Sequence, residues 1–238
     1  IDSGVDIFRI GANAPDFDIC FQQIEYCKKK NKEVWAVLMM SHLLMENKNY
    51  INVVKSLINS GVDTVIFMDS AGFFLPSDIE QIFSNLRKKF KINYGFHGHN
   101  NYGCAIWNSI VAIQNGCSII DASIKGFGAG AGNTQLEVLM TVIEKMGYKI
   151  KPLTEEFYKI SDMFYSFFPQ NVETKEMFVD TSNILSASNG LVSAFAPPVD
   201  FFSKKLKIDR IKAYQILGGK KLVAGQEDLI PDLLKKNK

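Results

Sequence analysis

The sequence predicts an α/β fold built on a parallel sheet, followed by a helical region. From residue 5 to about residue 147, a short apolar run, a polar loop and an amphipathic helix follow one another five times. This alternation is typical of parallel strands joined by helical crossovers. Beyond Pro152 the alternation stops and the pattern is helical. We therefore expect two domains, residues 1–147 and residues 152–238.

The predicted strands are short and almost continuously apolar, as in strands covered on both faces: residues 5–10, 34–40, 64–68, 92–97 and 118–123. Capping-box spacing predicts helix starts at Ser77 with Glu80 and at Thr134 with Glu137. Glycines suited to a left-handed cap predict helix ends at Gly61, Gly116 and Gly147. The proline pair at residues 197 and 198 predicts a break between C-terminal helices.

Composition limits the classes of function. The chain has 238 residues, 47% of them hydrophobic, and is long enough to bury a sizeable core. Its net charge of +2 comes from 27 basic and 25 acidic residues, which indicates neither nucleic-acid binding nor membrane binding. The cysteines lack the CxxC spacing of a zinc or redox site, so we expect them to be reduced and structural: Cys20, Cys27, Cys104 and Cys117.

Cellular location is predicted only by default. No signal peptide is visible, and no apolar run approaches the ~20 residues that span a bilayer, so we expect a cytoplasmic protein. The chain begins with Ile1 rather than Met, and a predicted strand follows within a few residues. We therefore expect further sequence upstream.

Polar residues lie where the predicted strands end. In parallel α/β folds the functional side chains gather at the carboxyl ends of the strands, because the loops there vary without disturbing the core. These positions hold Asn13, Ser41, His42, Asp69, Ser70, His97, His99, Lys125 and the loop 126–133.

The strongest of these signals is His97-Gly98-His99. Side chains at i and i+2 of a strand point to the same face, so two imidazoles converge there and can bind one divalent metal ion. The alternative is a pair of half-exposed histidines without a ligand. Because the chain has only three histidines and two of them are paired in this way, we favour a metal site.

The other signals each have a structural alternative. The loop 126–133 has alternating glycines before a helix, and a dinucleotide site is the rival interpretation. The spacing does not match GxGxxG, which favours close backbone approach around a ligand. Asp69 and Ser70 can equally form a turn that ends the strand, and His42 can be a hydrogen-bonded structural histidine.

Taken together, the motifs resemble the 4-hydroxy-2-oxovalerate aldolases of the HMG-CoA lyase-like TIM-barrel metalloenzymes. They are LMMSH at 38–42, DSAG at 69–72, GFHGHN at 95–100, DAS at 121–123 with the loop 126–133, LEV at 136–138 and GQED at 225–228. The resemblance implies an incomplete (β/α)8 TIM barrel, with about five of its eight units, followed by a helical communication domain. It also implies a lyase that cleaves a 4-hydroxy-2-oxo acid to pyruvate and an aldehyde.

The resemblance assigns roles to individual residues. His97 and His99 would be metal ligands, Asn133 would lie close to the metal, and Ser70 and His97 would contact the substrate. The implied cofactor is a divalent metal ion, with manganese (Mn²⁺) favoured and Mg²⁺ as the alternative. Bound to the ketone and carboxylate oxygens of the substrate, the metal ion would stabilise the pyruvate enolate. The partner implied is an acylating aldehyde dehydrogenase that receives the aldehyde.

The chain departs from the family in two places. The first-strand motif that supplies a third metal ligand, an arginine and a nearby histidine base is absent, so no catalytic residue is assigned and the chain alone should be a poor catalyst. Ser188 stands where the family has a substrate-contacting tyrosine. Two alternatives follow, a Claisen-type acyltransferase resembling isopropylmalate synthase and a non-catalytic homologue that serves for interaction.

Overall fold

A parallel sheet of five strands forms the centre of the computed structural model, which describes residues 4–45, 48–151, 153–167 and 179–237. The strands lie in sequence order: β1 (Ile7–Asn13), β2 (Glu33–Met39), β3 (Thr64–Asp69), β4 (Asn93–Gly98) and β5 (Ile119–Asp121). All four neighbouring pairs are parallel. The predicted α/β fold with an incomplete barrel sheet is therefore confirmed.

A helix follows each strand, as the alternating pattern predicted: α1 (Phe21–Lys29), α2 (Tyr50–Asn59), α3 (Pro76–Lys89), α4 (Ala105–Gln114) and α5 (Leu136–Lys145). In α3 the apolar residues recur at helical spacing, and Ile79, Phe83 and Leu86 are fully buried. Val65 and Ile66 are successive residues of β3 and are also fully buried, so both faces of this strand are covered.

The ends of the helices were predicted only in part. The left-handed glycines are confirmed, since φ is +94° at Gly61, +96° at Gly116 and +88° at Gly147. The Ser77 capping box is wrong, because α3 begins one residue earlier at Pro76. The Asp78 carboxylate accepts the Leu75 N–H at 2.9 Å instead.

The second predicted capping box is also wrong. Helix α5 begins at Leu136, and the Glu137 carboxylate accepts the N–H of Lys125 rather than capping its own helix. The Thr134 hydroxyl is turned towards the carbonyl oxygen of Ala105. Both side chains are buried and make tertiary contacts, which override the local capping pattern.

The C-terminal region is helical: α6 (Glu155–Asp162), α7 (Thr181–Ser188), α8 (Ala196–Leu206), α9 (Arg210–Gly218) and α10 (Ile230–Lys236). Helices α8, α9 and α10 enclose a core in which Val199, Tyr214 and Leu234 are fully buried. The prediction of a break at residues 197 and 198 is wrong, because both prolines lie in the first turn of α8, where their missing N–H groups cost nothing. Within the described ranges, no helix is both long and apolar enough to cross a membrane.

The helical region covers the loops at the carboxyl ends of the strands. Met40, at the end of β2, is fully buried in the apolar core of the helical region. Asn101, which follows β4, donates a hydrogen bond to Ser193 Oγ at 2.9 Å. The fold thus places the polar ends of the strands beneath the helices.

The four cysteines are free thiols, as predicted.

Candidate metal and substrate site

His97 and His99 converge as the sequence predicted. His97 is on β4, and His99 follows the last residue of that strand. Their ring centroids are 5.2 Å apart, with 44° between the ring planes. Gly98 is required between them, since a Cβ there would lie 2.9 Å from Cε1 of Phe96. The strand end therefore presents two imidazoles on one face.

A carboxylate on the neighbouring strand holds the His97 ring. Asp121 pairs with His97 in the parallel register of β4 and β5, and its Oδ2 lies 3.0 Å from His97 Nδ1. The same carboxylate accepts two hydrogen bonds from Arg9 of β1, at 3.0 and 2.5 Å. Burial alone would raise the pKa of Asp121, but the hydrogen bonds from His97 and Arg9 hold it down at about 2.

His99 is held in its neutral form. Burial, reinforced by repulsion from His97, lowers the pKa of His99 to about 4. A hydrogen bond with the backbone of Ala129, in the glycine-rich loop, raises this pKa only in part. A neutral imidazole is the form that coordinates a metal ion, so the protonation state of His99 is compatible with a ligand role.

Asn133 completes the set that the sequence assigned to the metal. It forms an isolated antiparallel bridge with His99, and its amide nitrogen donates to the carbonyl oxygen of Phe127 at 3.2 Å. Among the described residues, neither Asn133 Oδ1 nor His99 Nδ1 has a hydrogen-bond partner, although both atoms are buried. A buried acceptor without a protein partner is satisfied by a water molecule or by an ion, so both atoms are candidate ligands.

The donor set fits a divalent cation in part. An imidazole-bound cation lies ~3 Å from the ring centroid, so centroids 5.2 Å apart can share one cation. An amide oxygen suits Mg²⁺ or Mn²⁺. In the part of the chain that the structure describes, no group of three or more His, Cys, Asp or Glu side chains could hold a metal ion. The candidate ligands are thus two imidazoles and one amide oxygen.

Ser70 lies in the loop after β3, beside the end of β4. The register pairs Met68 with His97 and Asp69 with Gly98, so Ser70 follows directly at the edge that carries the imidazoles. Its Oγ accepts the N–H of Met40 at 2.9 Å. Among the described residues the Ser70 hydroxyl makes no other hydrogen bond, so its proton is available to an acceptor.

Asp69 shapes this loop rather than facing a ligand. Its two carboxylate oxygens accept the N–H groups of Phe73 at 2.8 Å and Phe74 at 3.0 Å. Burial raises the pKa of Asp69 to about 7, while these two donors act in the opposite direction. Asp69 therefore forms a turn that ends strand β3, which is the structural alternative for this residue. The turn fixes the position of Ser70.

Three further sequence candidates make contacts away from the two imidazoles. His42 Nε2 lies 3.0 Å from the carbonyl oxygen of Gly190. Lys125 Nζ lies 4.0 Å from the carboxylate of Asp162 on α6. Ser188, at the family's tyrosine position, accepts a hydrogen bond from the Tyr102 hydroxyl at 3.1 Å. A tyrosine hydroxyl from the loop after β4 therefore lies at this place.

Sequence reasoning did not single out Arg9 or the role of Asp121. A signal was present, because Arg9 is the only charged residue of strand β1, Ile7–Asn13. The partner could not be identified from the sequence, since Asp121 is 112 residues away.

Comparison with known proteins gives the family. The model of the HMGL-like family matches residues 16–164, and the model of the DmpG-like communication domain matches residues 177–236. Proteins named 4-hydroxy-2-oxovalerate aldolase are 37% identical in Pectobacterium atrosepticum and 40% identical in Spirochaeta aurantia, in each case over 100% of this chain. The chain belongs to the 4-hydroxy-2-oxovalerate aldolase family. The resemblance seen in the motifs, and the aldolase parentage that it implied, are confirmed.

The relatives are longer than this chain. It spans 69% of the Pectobacterium protein, 68% of the Spirochaeta protein and 65% of a 34% identical aldolase from Burkholderia pseudomallei. Among solved structures, the N-terminal domain of a Bacteroides vulgatus protein provisionally called an aldolase superposes with a TM-score of 0.73 at 25% identity, covering 85% of this chain and 65% of that one.

A second solved structure shows the fold alone. The carboxyl transferase domain of Rhizobium etli pyruvate carboxylase, determined with pyruvate and biocytin, superposes with a TM-score of 0.77 at 15% identity. The match covers 99% of this chain and 43% of that domain. The chain therefore shares its fold with this domain of distant sequence.

Proposed function

We propose that this chain carries the metal- and substrate-binding part of a divalent-metal-dependent aldolase. The reaction is the cleavage of a 4-hydroxy-2-oxo acid, such as 4-hydroxy-2-oxovalerate, to pyruvate and an aldehyde. The observation that carries the proposal is the convergence of two imidazoles, 5.2 Å apart, beside the buried and unpartnered Oδ1 of Asn133. The names of the relatives support the reaction class.

In this proposal His97, His99 and Asn133 hold the cation, with Mn²⁺ favoured over Mg²⁺. When bound, the cation supplies Lewis-acid polarisation of the substrate's 2-oxo group. Burial lowers the pKa of His99, so its ring is neutral at physiological pH and one of its two nitrogens has a lone pair for the cation. Asp121 prevents free rotation of the His97 ring by accepting from Nδ1.

Substrate recognition is assigned to Ser70 and His97. The Ser70 hydroxyl already accepts a hydrogen bond from the Met40 backbone, and in this proposal it donates a hydrogen bond to a substrate carboxylate oxygen. The His97 ring faces the same edge of the sheet and contacts the substrate beside the cation. The base and the arginine of the reaction are assigned to a first-strand motif that these residues do not include. We therefore expect this chain to bind the metal ion and the substrate but to catalyse the cleavage poorly.

The C-terminal helices are proposed to form a communication-type domain, residues 152–238, after a barrel part at residues 1–147. The match of residues 177–236 to the communication-domain model supports this division. We propose that it docks an acylating aldehyde dehydrogenase that accepts the aldehyde product. A cytoplasmic location belongs to the same proposal.

Metal binding by the chain tests the core of the proposal. Mn²⁺ affinity is measured by calorimetry for the wild type and for His97→Ala and His99→Ala, with His42→Gln as the histidine variant outside the site. We expect each site variant to weaken binding at least tenfold and His42→Gln to match the wild type. Pyruvate should then bind to the Mn²⁺-loaded wild type and to Mn²⁺-loaded His42→Gln, but not to the two site variants. Equal Mn²⁺ affinity in all four proteins would refute the site.

A further inference from the structure

A chain of hydrogen bonds joins the two outer strands of the sheet. Arg9 lies on β1 and Asp121 on β5, with three strands between them, and their side chains meet in a bidentate ion pair. Asp121 Oδ2 is shared with Nδ1 of His97 at 3.0 Å. The sheet therefore curls far enough for a side chain of its first strand to reach Asp121 on its fifth.

This chain determines which nitrogen of His97 carries the proton. An ionised carboxylate only accepts hydrogen bonds, so the atom that faces Asp121 Oδ2 must be a donor. In the neutral imidazole one nitrogen is a donor and the other an acceptor. With Nδ1 protonated, the lone pair lies on Nε2, which becomes the atom presented to a cation.

Arg9 fixes the orientation of the Asp121 carboxylate. Its two terminal nitrogens bond one oxygen each, at 3.0 and 2.5 Å, and this fork geometry defines the plane of the carboxylate. The guanidinium also lies over the ring of Trp35, 5.8 Å from its centroid, which limits its movement. A lysine has a single ammonium group and cannot reproduce the paired contact.

We propose that Arg9 is a positioning residue, which through Asp121 holds His97 as the Nδ1-protonated tautomer with Nε2 directed at the metal position. In this proposal Arg9 acts on the site through Asp121. The tautomer part of the inference stands on the hydrogen bonds alone, whereas the metal part rests on the proposed function.

Nitrogen-15 NMR of the metal-free chain tests the first part. Because the chain has only three histidines, the ring nitrogens of each can be assigned. We expect His97 of the wild type to show a protonated Nδ1 and an unprotonated Nε2. In Arg9→Met the two nitrogens should move towards the averaged shifts of exchanging tautomers, with Arg9→Lys between the two. The control is Lys28→Met, which removes an ion pair to Asp63 of 2.8 Å elsewhere in the fold.

Mn²⁺ affinity tests the second part. We expect Arg9→Met to weaken binding by about 10- to 100-fold, as for other partners of metal-ligating histidines, and Lys28→Met to match the wild type. If Arg9→Met does not fold, Arg9→Lys decides by the same two measurements. An unchanged His97 tautomer in the Arg9 variant overturns the proposal, and so does a loss of affinity equal to that of Lys28→Met. Altered tautomers without Mn²⁺ binding by any form would refute the proposed function and leave the positioning role.

Discussion

His42 donates a hydrogen bond from Nε2 to the carbonyl oxygen of Gly190, 3.0 Å away and 148 residues along the chain. A carbonyl only accepts, so Nε2 carries the proton and Nδ1 is the acceptor of a neutral ring. Among the described residues Nδ1 has no hydrogen-bond partner, and it is buried. The ring is also 5.3 Å from that of Phe73. His42 thus fastens the loop after β2 to the helical region in its uncharged form.

This contact should make stability depend on pH. Burial lowers the pKa of His42 from 6.5 to about 4, so between these values the unfolded chain binds the proton more readily than the folded one. The contribution is fully present above pH 6.5 and is lost as the pH falls towards 4. Linkage gives a loss of about 2 kcal/mol between pH 7 and pH 5 from this group.

The matched variant is His42→Gln, whose side-chain amide keeps a donor for Gly190 and does not titrate. Urea unfolding at pH 7 and pH 5 should give a smaller loss of unfolding free energy in the variant than in the wild type, by about 2 kcal/mol. Other titrating groups, such as Asp69, act equally in both proteins. Parallel pH profiles for the two proteins would show that the His42 ring is not buried as a neutral group.

Asp69 should be required for the stability of the loop that carries Ser70. Replacing Asp69 with Ala leaves the N–H groups of Phe73 and Phe74 without their acceptors, and the second of these lies in the buried interior. Each unsatisfied donor costs about 1–3 kcal/mol, so we expect a loss of about 2–4 kcal/mol in unfolding free energy. Urea unfolding at pH 7 measures it.

Asp78→Ala is the comparison for this loss. That carboxylate also accepts a backbone N–H, from Leu75, but at an exposed helix start where water can replace it. We expect a cost of about 1 kcal/mol there. If Asp69→Ala costs no more than Asp78→Ala, Asp69 does not hold its loop in place.

The sequence predicted features that follow from local periodicity. Residues at positions i and i+2 of a strand share a face, which is why the pairing of His97 and His99 was predictable. Left-handed glycines such as Gly61 followed from the geometry of helix ends. The bond between Arg9 and Asp121 was not predictable, because it depends on the curl of the whole sheet. The strand and helix pattern alone predicted a parallel sheet, and the prediction that this sheet is part of a barrel came from the family resemblance.

The errors came from tertiary contacts that replaced local ones. Glu137 has capping-box spacing, yet its carboxylate accepts from the Lys125 backbone and from the Ser161 hydroxyl of α6. No local rule anticipates a partner on a later helix. For the same reason the sequence left two interpretations of His42 open, and only its contact with Gly190 decides in favour of the structural one.

Gly128 should be needed to hold Asn133 in the proposed metal site. A Cβ at Gly128 would overlap the amide of Asn133, with Cγ at 2.7 Å, Oδ1 at 2.9 Å and Nδ2 closer still. Gly128→Ala must therefore displace the amide whose oxygen is buried and unpartnered. We expect Mn²⁺ affinity to fall by about tenfold, the lower range for disturbed metal-site partners.

Gly11→Ala provides the control, because a Cβ there meets only Val37, at 3.8 Å, which is an ordinary contact. Its Mn²⁺ affinity should equal that of the wild type, and circular dichroism should show that both variants keep the fold. Asn133→Ala separates the two ways in which Gly128→Ala could act. If Gly128→Ala weakens binding in the Asn133→Ala background as much as in the wild type, the effect does not pass through the Asn133 amide. Loss of the Gly128 effect in that background is the expected result, since neighbouring side chains that act through one contact are not additive.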